Sequence, residues 1–310
     1  MFKKNIEWLK NKNLTLVFLI PSPLTALVSR LIIDEFELNK SEILLVSYRN
    51  TPLNLFNYPS IEIKQNKIAF YIQKLFFYSI SSNIVLNNVK KEFVLFTSSA
   101  TKDANSLINS KKCLGHFYIE EGQGSYFDHK PFNYNGMTAI QFIKSNFSNK
   151  FIKIDNYINF YRDDSLGFIG INKNCYPMIA IEDKFYLNNL ERIKKYYNPK
   201  IFGIKRIALS CAESRLINNN WEEMILKLIK YLPGGGLIKL HPSFYTSNNK
   251  IKKINSFLIE QNFKNISLCK SDVILELEMI YEKKIFYGPK TTLSYYAEML
   301  GSEFKHIELY

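Results

Sequence analysis

Cysteine is scarce in this sequence, and the few there are lie far apart. Cys113, Cys175, Cys211 and Cys269 form no C-x-x-C pair and no Cys/His ligand spacing, so neither a disulfide framework nor a zinc module is indicated and the cytosol is the expected compartment. Long apolar runs are missing too. Leu14–Ile20 is too short to span a bilayer, is cut by Pro21 and Pro23, and lacks the small-residue cleavage pattern of a signal peptide; it reads as a first buried strand. No D-x-D occurs, which removes a common way of holding a divalent metal against a nucleotide sugar and leads to an expectation of metal-independent, cofactor-free chemistry. There is no dense basic run, no RNA-binding aromatic motif and no repeat at solenoid periods, so nucleic acid is not the expected partner.

Present instead are 310 residues, enough for two medium domains or one large one, a hydrophobic share of 46% and a formal net charge of +13. That balance favours acidic partners: an anionic substrate, an anionic membrane surface or nucleic acid. The lysines are thinly spread, as in Lys10-Asn11-Lys12, Lys111-Lys112 and Lys252-Lys253, and ordinary surface charge explains them equally well.

Short apolar segments alternate with helical patterns. Strands are expected at Leu14–Ile20, Glu42–Tyr48, Ile61–Lys64, Glu92–Thr97 and His116–Glu120, with helices at Pro23–Glu37 and Lys67–Ile84. A polar, poorly periodic stretch, roughly Asp128 to Tyr161, follows, and Arg162–Asn174 looks like a linker. The alternation then restarts. Strands are expected at Arg206–Cys211, Leu237–Leu240, Ile266–Lys270, Lys284–Tyr287 and Lys305–Leu309, and helices at Asn220–Tyr231, Lys250–Phe263, Asp272–Tyr281 and Thr292–Leu300. Such order implies an α/β protein with parallel sheets covered by helices. We expect two Rossmann-like domains, residues 1–165 and 166–310, facing each other across a cleft.

Four places carry chemistry. Glu120-Glu121-Gly122 ends an apolar strand at the sheet rim where open α/β proteins bind ligands; Glu121 could serve there as a general base, or be a solvated acidic turn. The Gly122-Gln123-Gly124 that follows is no dinucleotide loop, because Phe127 stands where the third glycine should be. His241-Pro242 is the second place. Proline cannot continue the ladder, so the imidazole falls at the strand's carboxyl end, where it could assist a leaving phosphate or be structural. Thr291-Thr292 lies between a strand and a helix; its hydroxyls could cap the helix, bind phosphate at its N-terminus, or do both. Glu276 or Glu278 is the fourth: the two face different directions on a helix, one expected in solvent, the other able to accept from ribose hydroxyls.

In order along the chain, Glu120-Glu121-Gly122, His241-Pro242 and Thr291-Thr292, with Glu276 between the last two, resemble the motifs of bacterial sialyltransferases and polysialyltransferases of GT-B fold. The layout covers most of the chain, on about eight matching residues; the family often carries serines where this chain has two threonines. The resemblance implies inverting transfer of sialic acid from CMP-sialic acid to a sugar hydroxyl of a lipooligosaccharide or capsule, with a galactoside or sialoside as acceptor. Glu121 would be the base, His241 would serve the departing phosphate, Thr291 and Thr292 would hold that phosphate, and Glu276 the ribose. Gly122 and Pro242 complete the motifs. Cytoplasmic enzyme held peripherally at the inner membrane is the matching location. A related acidic donor such as CMP-Kdo, and a non-catalytic basic cleft for nucleic acid or anionic lipid, are the alternatives.

Overall fold

The computed structural model describes residues 2–48, 58–63, 82–99, 101–128, 161–216, 220–246 and 248–309. Most of the helix expected at Lys67–Ile84 and nearly all of the aperiodic stretch from Asp128 to Tyr161 lie outside these residues. The chain forms two compact units, Met1–Tyr196 and Tyr197–Tyr310.

Unit 1 is built on seven parallel strands: β1 (Thr15–Ile20), β2 (Ile43–Tyr48), β3 (Ser60–Ile63), β4 (Phe93–Thr97), β5 (Cys113–Ile119), β6 (Gly167–Gly170) and β7 (Lys184–Tyr186), in the order β3-β2-β1-β4-β5-β6-β7. The inner strands are predominantly apolar, as strands covered on both faces must be; β4 is buried at all five positions. Val17, Leu19, Leu44, Val46, Phe93 and Leu95 pack against Ala104 and Leu107 of the helix Lys102–Ile108. The helix Pro23–Glu35 starts where the chain dictates: Ser22 caps it by accepting from the Thr25 amide, and Pro23 supplies a preset φ at the first helical position.

Unit 2 has five parallel strands, β8 (Arg206–Leu209), β9 (Gly236–Lys239), β10 (Ile266–Leu268), β11 (Ile285–Gly288) and β12 (Glu303–His306), ordered β10-β9-β8-β11-β12. Its core joins Ala208 and Ile238 to Met224, Ile225 and Leu228 of the helix Trp221–Ile229, and to Ile254 and Leu258 of the helix Asn248–Glu260. Both sheets run outward in both directions from their first strand, the doubly wound Rossmann order. Each therefore reverses strand order once, between β1 and β4 and between β8 and β11, and the ligand side of such a sheet is the carboxyl ends of its strands. Each unit is thus an α/β body on a parallel sheet of Rossmann-like order, as the alternation in the sequence implies.

The unit boundary falls between Tyr196 and Tyr197 rather than at 165/166. The stretch read as a linker holds β6, which pairs with β5 through Phe117↔Gly167, Tyr118↔Phe168 and Ile119↔Ile169, and β7 adds to it in turn. A glycine at each end of a four-residue strand looks like a turn in sequence, yet all four residues are buried.

Candidate active site

Glu120 and Glu121, adjacent at the carboxyl end of β5, have opposite environments. The Glu120 side chain turns inward and is completely buried. Its Oε2 accepts from the amides of Ile171 (2.6 Å) and Asn172 (3.1 Å), just past β6, and its Oε1 accepts from the Tyr126 hydroxyl. Gly170 makes the approach possible: a Cβ there would overlap Cys175 Sγ and stand 2.9 Å from Glu120 Oε2. Glu121 turns outward and is half-buried. Ser125 Oγ grips its backbone, accepting from its amide at 3.0 Å and donating to its carbonyl at 3.3 Å. Among the described residues its carboxylate has no hydrogen-bond or ion-pair partner. Gly122 follows with φ 57° and ψ −161°, a conformation nearly restricted to glycine, so the turn requires a glycine after the acidic pair.

In unit 2 His241 follows β9, Glu276 stands on the helix after β10, and Thr291-Thr292 follow β11. His241 is exposed, two residues beyond β9. Its backbone amide donates to Ser210 Oγ at the end of β8 (2.7 Å). Its Nδ1 lies 3.0 Å from Ser243 Oγ and accepts from the Ser243 amide at 3.2 Å. Ser243 Oγ also accepts from the Glu213 amide (3.1 Å). Crowding around the ring pushes the imidazole below its ordinary pKa, and Arg215 adds to the effect. Pro242 opens a short 3₁₀ turn, Pro242–Thr246, that carries the chain off the sheet.

The two glutamates of the helix Leu275–Tyr281 separate cleanly. Glu278, which could have been the solvated one, is buried; it accepts from the Tyr197 hydroxyl and from the amides of Lys200 (2.8 Å) and Ile201 (3.2 Å). Glu276 is half-buried. Burial raises its pKa, while its own amide and Lys239 pull the other way. Lys239, on β9, is itself spent on three carbonyls, Lys270 (2.7 Å), Ser271 (3.1 Å) and Val273 (2.9 Å), and thereby fixes the loop leading into that helix.

Thr291 stands at the N-cap of the helix Thr292–Met299, after β11, and makes no capping bond. Its Oγ1 is shut off from solvent and finds no partner among the described residues; such an orphan costs about 1–3 kcal/mol. Ser294 Oγ donates to the Thr291 carbonyl at 2.7 Å, and Thr292, half-buried, begins the helix. A recess of about 570 Å³ beside this loop is lined by Lys290, Ser294, Tyr295, Glu298, Phe304 and His306, among others. It includes neither His241 nor Glu276, so it is not where those residues converge.

Glu121 and Gly122 thus belong to unit 1, and His241, Pro242, Glu276, Thr291 and Thr292 to unit 2. Sequence reasoning missed Ser210, Ser243 and Lys239. Ser243 had a legible signal, because a serine two residues after a histidine before proline invites a local turn; Ser210 and Lys239 act across strands and had none. Among the described residues no group of three His, Cys, Asp or Glu could hold a metal ion. Nor is any helix among them long and apolar enough to cross a membrane.

Comparison with protein-family models and with curated proteins returned no match. Solved structures do align over nearly the whole chain. The E. coli heptosyltransferase WaaC bound to ADP-2-deoxy-2-fluoro heptose is 10% identical, covering 94% of this chain and 88% of its own, with a TM-score of 0.42. UDP-GlcNAc 2-epimerase from Neisseria meningitidis, bound to UDP-GlcNAc, is 15% identical over 94% of this chain and 81% of its own, with a TM-score of 0.48. Anabaena HepE in complex with UDP and glucose is 8% identical over 95% and 80%, with a TM-score of 0.43.

Proposed function

We propose that the protein is an inverting glycosyltransferase that moves sialic acid from CMP-sialic acid to a sugar hydroxyl of a surface glycan. The observation that carries the reading is the division of labour at the end of β5. One carboxylate of the pair is consumed by backbone amides, and the other, at the rim where an α/β sheet takes its ligand, has no hydrogen-bond or ion-pair partner among the described residues. Two further rim features support it: an imidazole just past the end of β9, and a buried threonine hydroxyl at a helix N-terminus that has no partner among the described residues.

In this reaction the acceptor hydroxyl gives its proton to Glu121 as its oxygen bonds to the anomeric carbon. The bond from that carbon to the phosphate oxygen breaks, and its electron pair leaves with CMP. The sugar passes through an oxocarbenium-like state, as in glycoside hydrolysis, where base and leaving group stand on opposite faces. His241 donates a hydrogen bond to the departing phosphate. Thr291 supplies its hydroxyl and the first amides of the helix Thr292–Met299 supply theirs. Glu276 accepts from the ribose hydroxyls. No step calls for a metal or a cofactor. The basic balance of the chain suits an anionic donor, an anionic glycan acceptor such as a sialoside, and peripheral attachment to the inner membrane.

The test is a donor screen with a galactoside or sialoside acceptor. CMP-sialic acid, CMP-Kdo, ADP-heptose and UDP-sugars are each incubated with the protein, and the free nucleotide is measured. Acceptor-dependent release of CMP from CMP-sialic acid is expected. Turnover with CMP-Kdo alone would keep the chemistry and change the sugar; turnover with a UDP- or ADP-sugar alone would overturn the reading, as would salt-sensitive nucleic-acid binding without turnover.

A further inference from the structure

Glu121 sits on a piece of backbone with a single support. One residue earlier the Glu120 amide still makes a ladder bond to β6, at the Ile169 carbonyl (2.9 Å). At Glu121 the ladder has ended. Among the described residues its amide and its carbonyl meet one group only, the hydroxyl of Ser125. An amide can only donate, so Ser125 Oγ accepts from it at 3.0 Å whatever the hydroxyl does with its own proton. That proton has the Glu121 carbonyl at 3.3 Å, and the Tyr161 and Tyr176 hydroxyls stand beside the same oxygen. Two of the three residues in between, Gly122 and Gly124, are glycines, so without the hydroxyl the end of β5 would run straight into the most pliable part of the turn.

Ser125 is itself held from two sides. It is buried, its amide donates to the Gly122 carbonyl (3.2 Å), and its carbonyl accepts from the Tyr176 amide (2.7 Å). Tyr176 is buried in turn, its ring 5.3 Å from that of Tyr161 and 5.1 Å from that of Phe168. Its φ of 54° is a left-handed conformation that a tyrosine keeps only where the surrounding structure imposes it. We infer that Ser125 is a positioning residue: its hydroxyl fixes the Glu121 peptide, and the bonds from Tyr176 to Ser125 to Glu121 aim the base by tying it to the aromatic cluster at the end of β5 and β6. The inference rests on the reading of Glu121 as the base, and deepens it. A general base must meet the acceptor hydroxyl at hydrogen-bond distance, and a carboxylate on a flexible arm keeps that distance only if its backbone is fixed.

Ser125→Ala removes both bonds to the Glu121 peptide and keeps the backbone bonds of residue 125, so it isolates the hydroxyl. The first measurement is amide hydrogen exchange in the full chain with no donor added. In the wild type the Glu121 amide should be protected; in Ser125→Ala it should exchange at least about tenfold faster, while the Glu120 amide, held by Ile169, keeps its protection. An unprotected Glu121 amide in the wild type, unchanged protection in the variant, or equal loss at both amides would overturn the inference. The second is a double-mutant cycle on transfer. Ser125→Ala should lower kcat by about tenfold to a hundredfold with little change in donor KM, the scale of a small misplacement of a reacting group. In a Glu121→Gln background the same change should cost less than about twofold, because the base it aims is gone. Equal losses in both backgrounds would show a merely structural serine and overturn the inference. Absence of turnover in the wild type would count against the transferase reading and, with it, against the aiming role, whereas the exchange measurement decides separately whether the hydroxyl holds the Glu121 peptide.

Discussion

At the scale of single residues, the decisive contrast is between Glu120 and Glu121, neighbours of the same chemical type with unlike jobs. Glu121→Gln removes a base and no packing, so transfer should fall by about 10²–10⁴ while the melting temperature stays put; steady-state turnover beside a thermal melt checks both halves. Glu120→Ala should do the reverse in part. It strips the acceptor from two buried amides and a tyrosine hydroxyl and should cost about 3 kcal/mol, read as a lower urea midpoint at unchanged slope. A Glu120→Ala protein as stable as wild type would mean that the inward carboxylate holds nothing. The sequence marked this pair, and the glycine after it, as a site. It also put the base at Glu121; the buried role of Glu120 was not legible, because the amides that occupy it lie some fifty residues further along, in a stretch read as linker.

At the scale of elements, β6 is the piece that sets the turn after β5. Its last residue, Gly170, leaves room for the Glu120 carboxylate and for Cys175. Gly170→Ala should therefore destabilise the protein by about 1–3 kcal/mol, as overpacking does, and should lower transfer as well because the Glu121 turn shifts with it. Equilibrium unfolding and turnover of the same preparation measure the two. In unit 2 the helix Leu275–Tyr281 is tied down through Glu278 to Tyr197, Lys200 and Ile201, which leaves Glu276, one residue away from the buried row, toward Lys239. The strands of both cores were legible because fully covered parallel strands are continuous apolar runs, and most ends agree within a residue or two. The short elements were not: β7 has three half-buried residues, and the helix Phe2–Lys10 is held by the stacking of Phe2 on Phe185, a contact between distant segments.

At the scale of the whole molecule, each unit is a separate Rossmann-like sheet with its own core, and unit 1 holds a half-buried acid and a buried imidazole with opposed titrations. Burial raises Asp103 to about 7, from 3.8, so its contribution is greatest in acid and is lost as pH rises through 7. Burial lowers His116 to about 3, from 6.5, so its contribution is present above 6.5 and is lost as pH falls toward 3. Between about pH 4 and 6.5 the two slopes, about 1.4 kcal/mol per pH unit each, oppose one another. Asp103→Asn should uncover the histidine: the variant should lose stability on acidification through this window far more steeply than the wild type, as followed by denaturant midpoints at a series of pH values. Equal slopes in the two proteins would remove one of the groups from the account. The central claim concerns function, and one comparison tests it most directly: CMP released from CMP-sialic acid, with and without a galactoside, by the wild type and by Glu121→Gln. The account predicts acceptor-dependent release by the wild type and a loss of at least about a hundredfold in the variant at unchanged melting temperature. Equal release by both proteins, or none from the wild type, would contradict it.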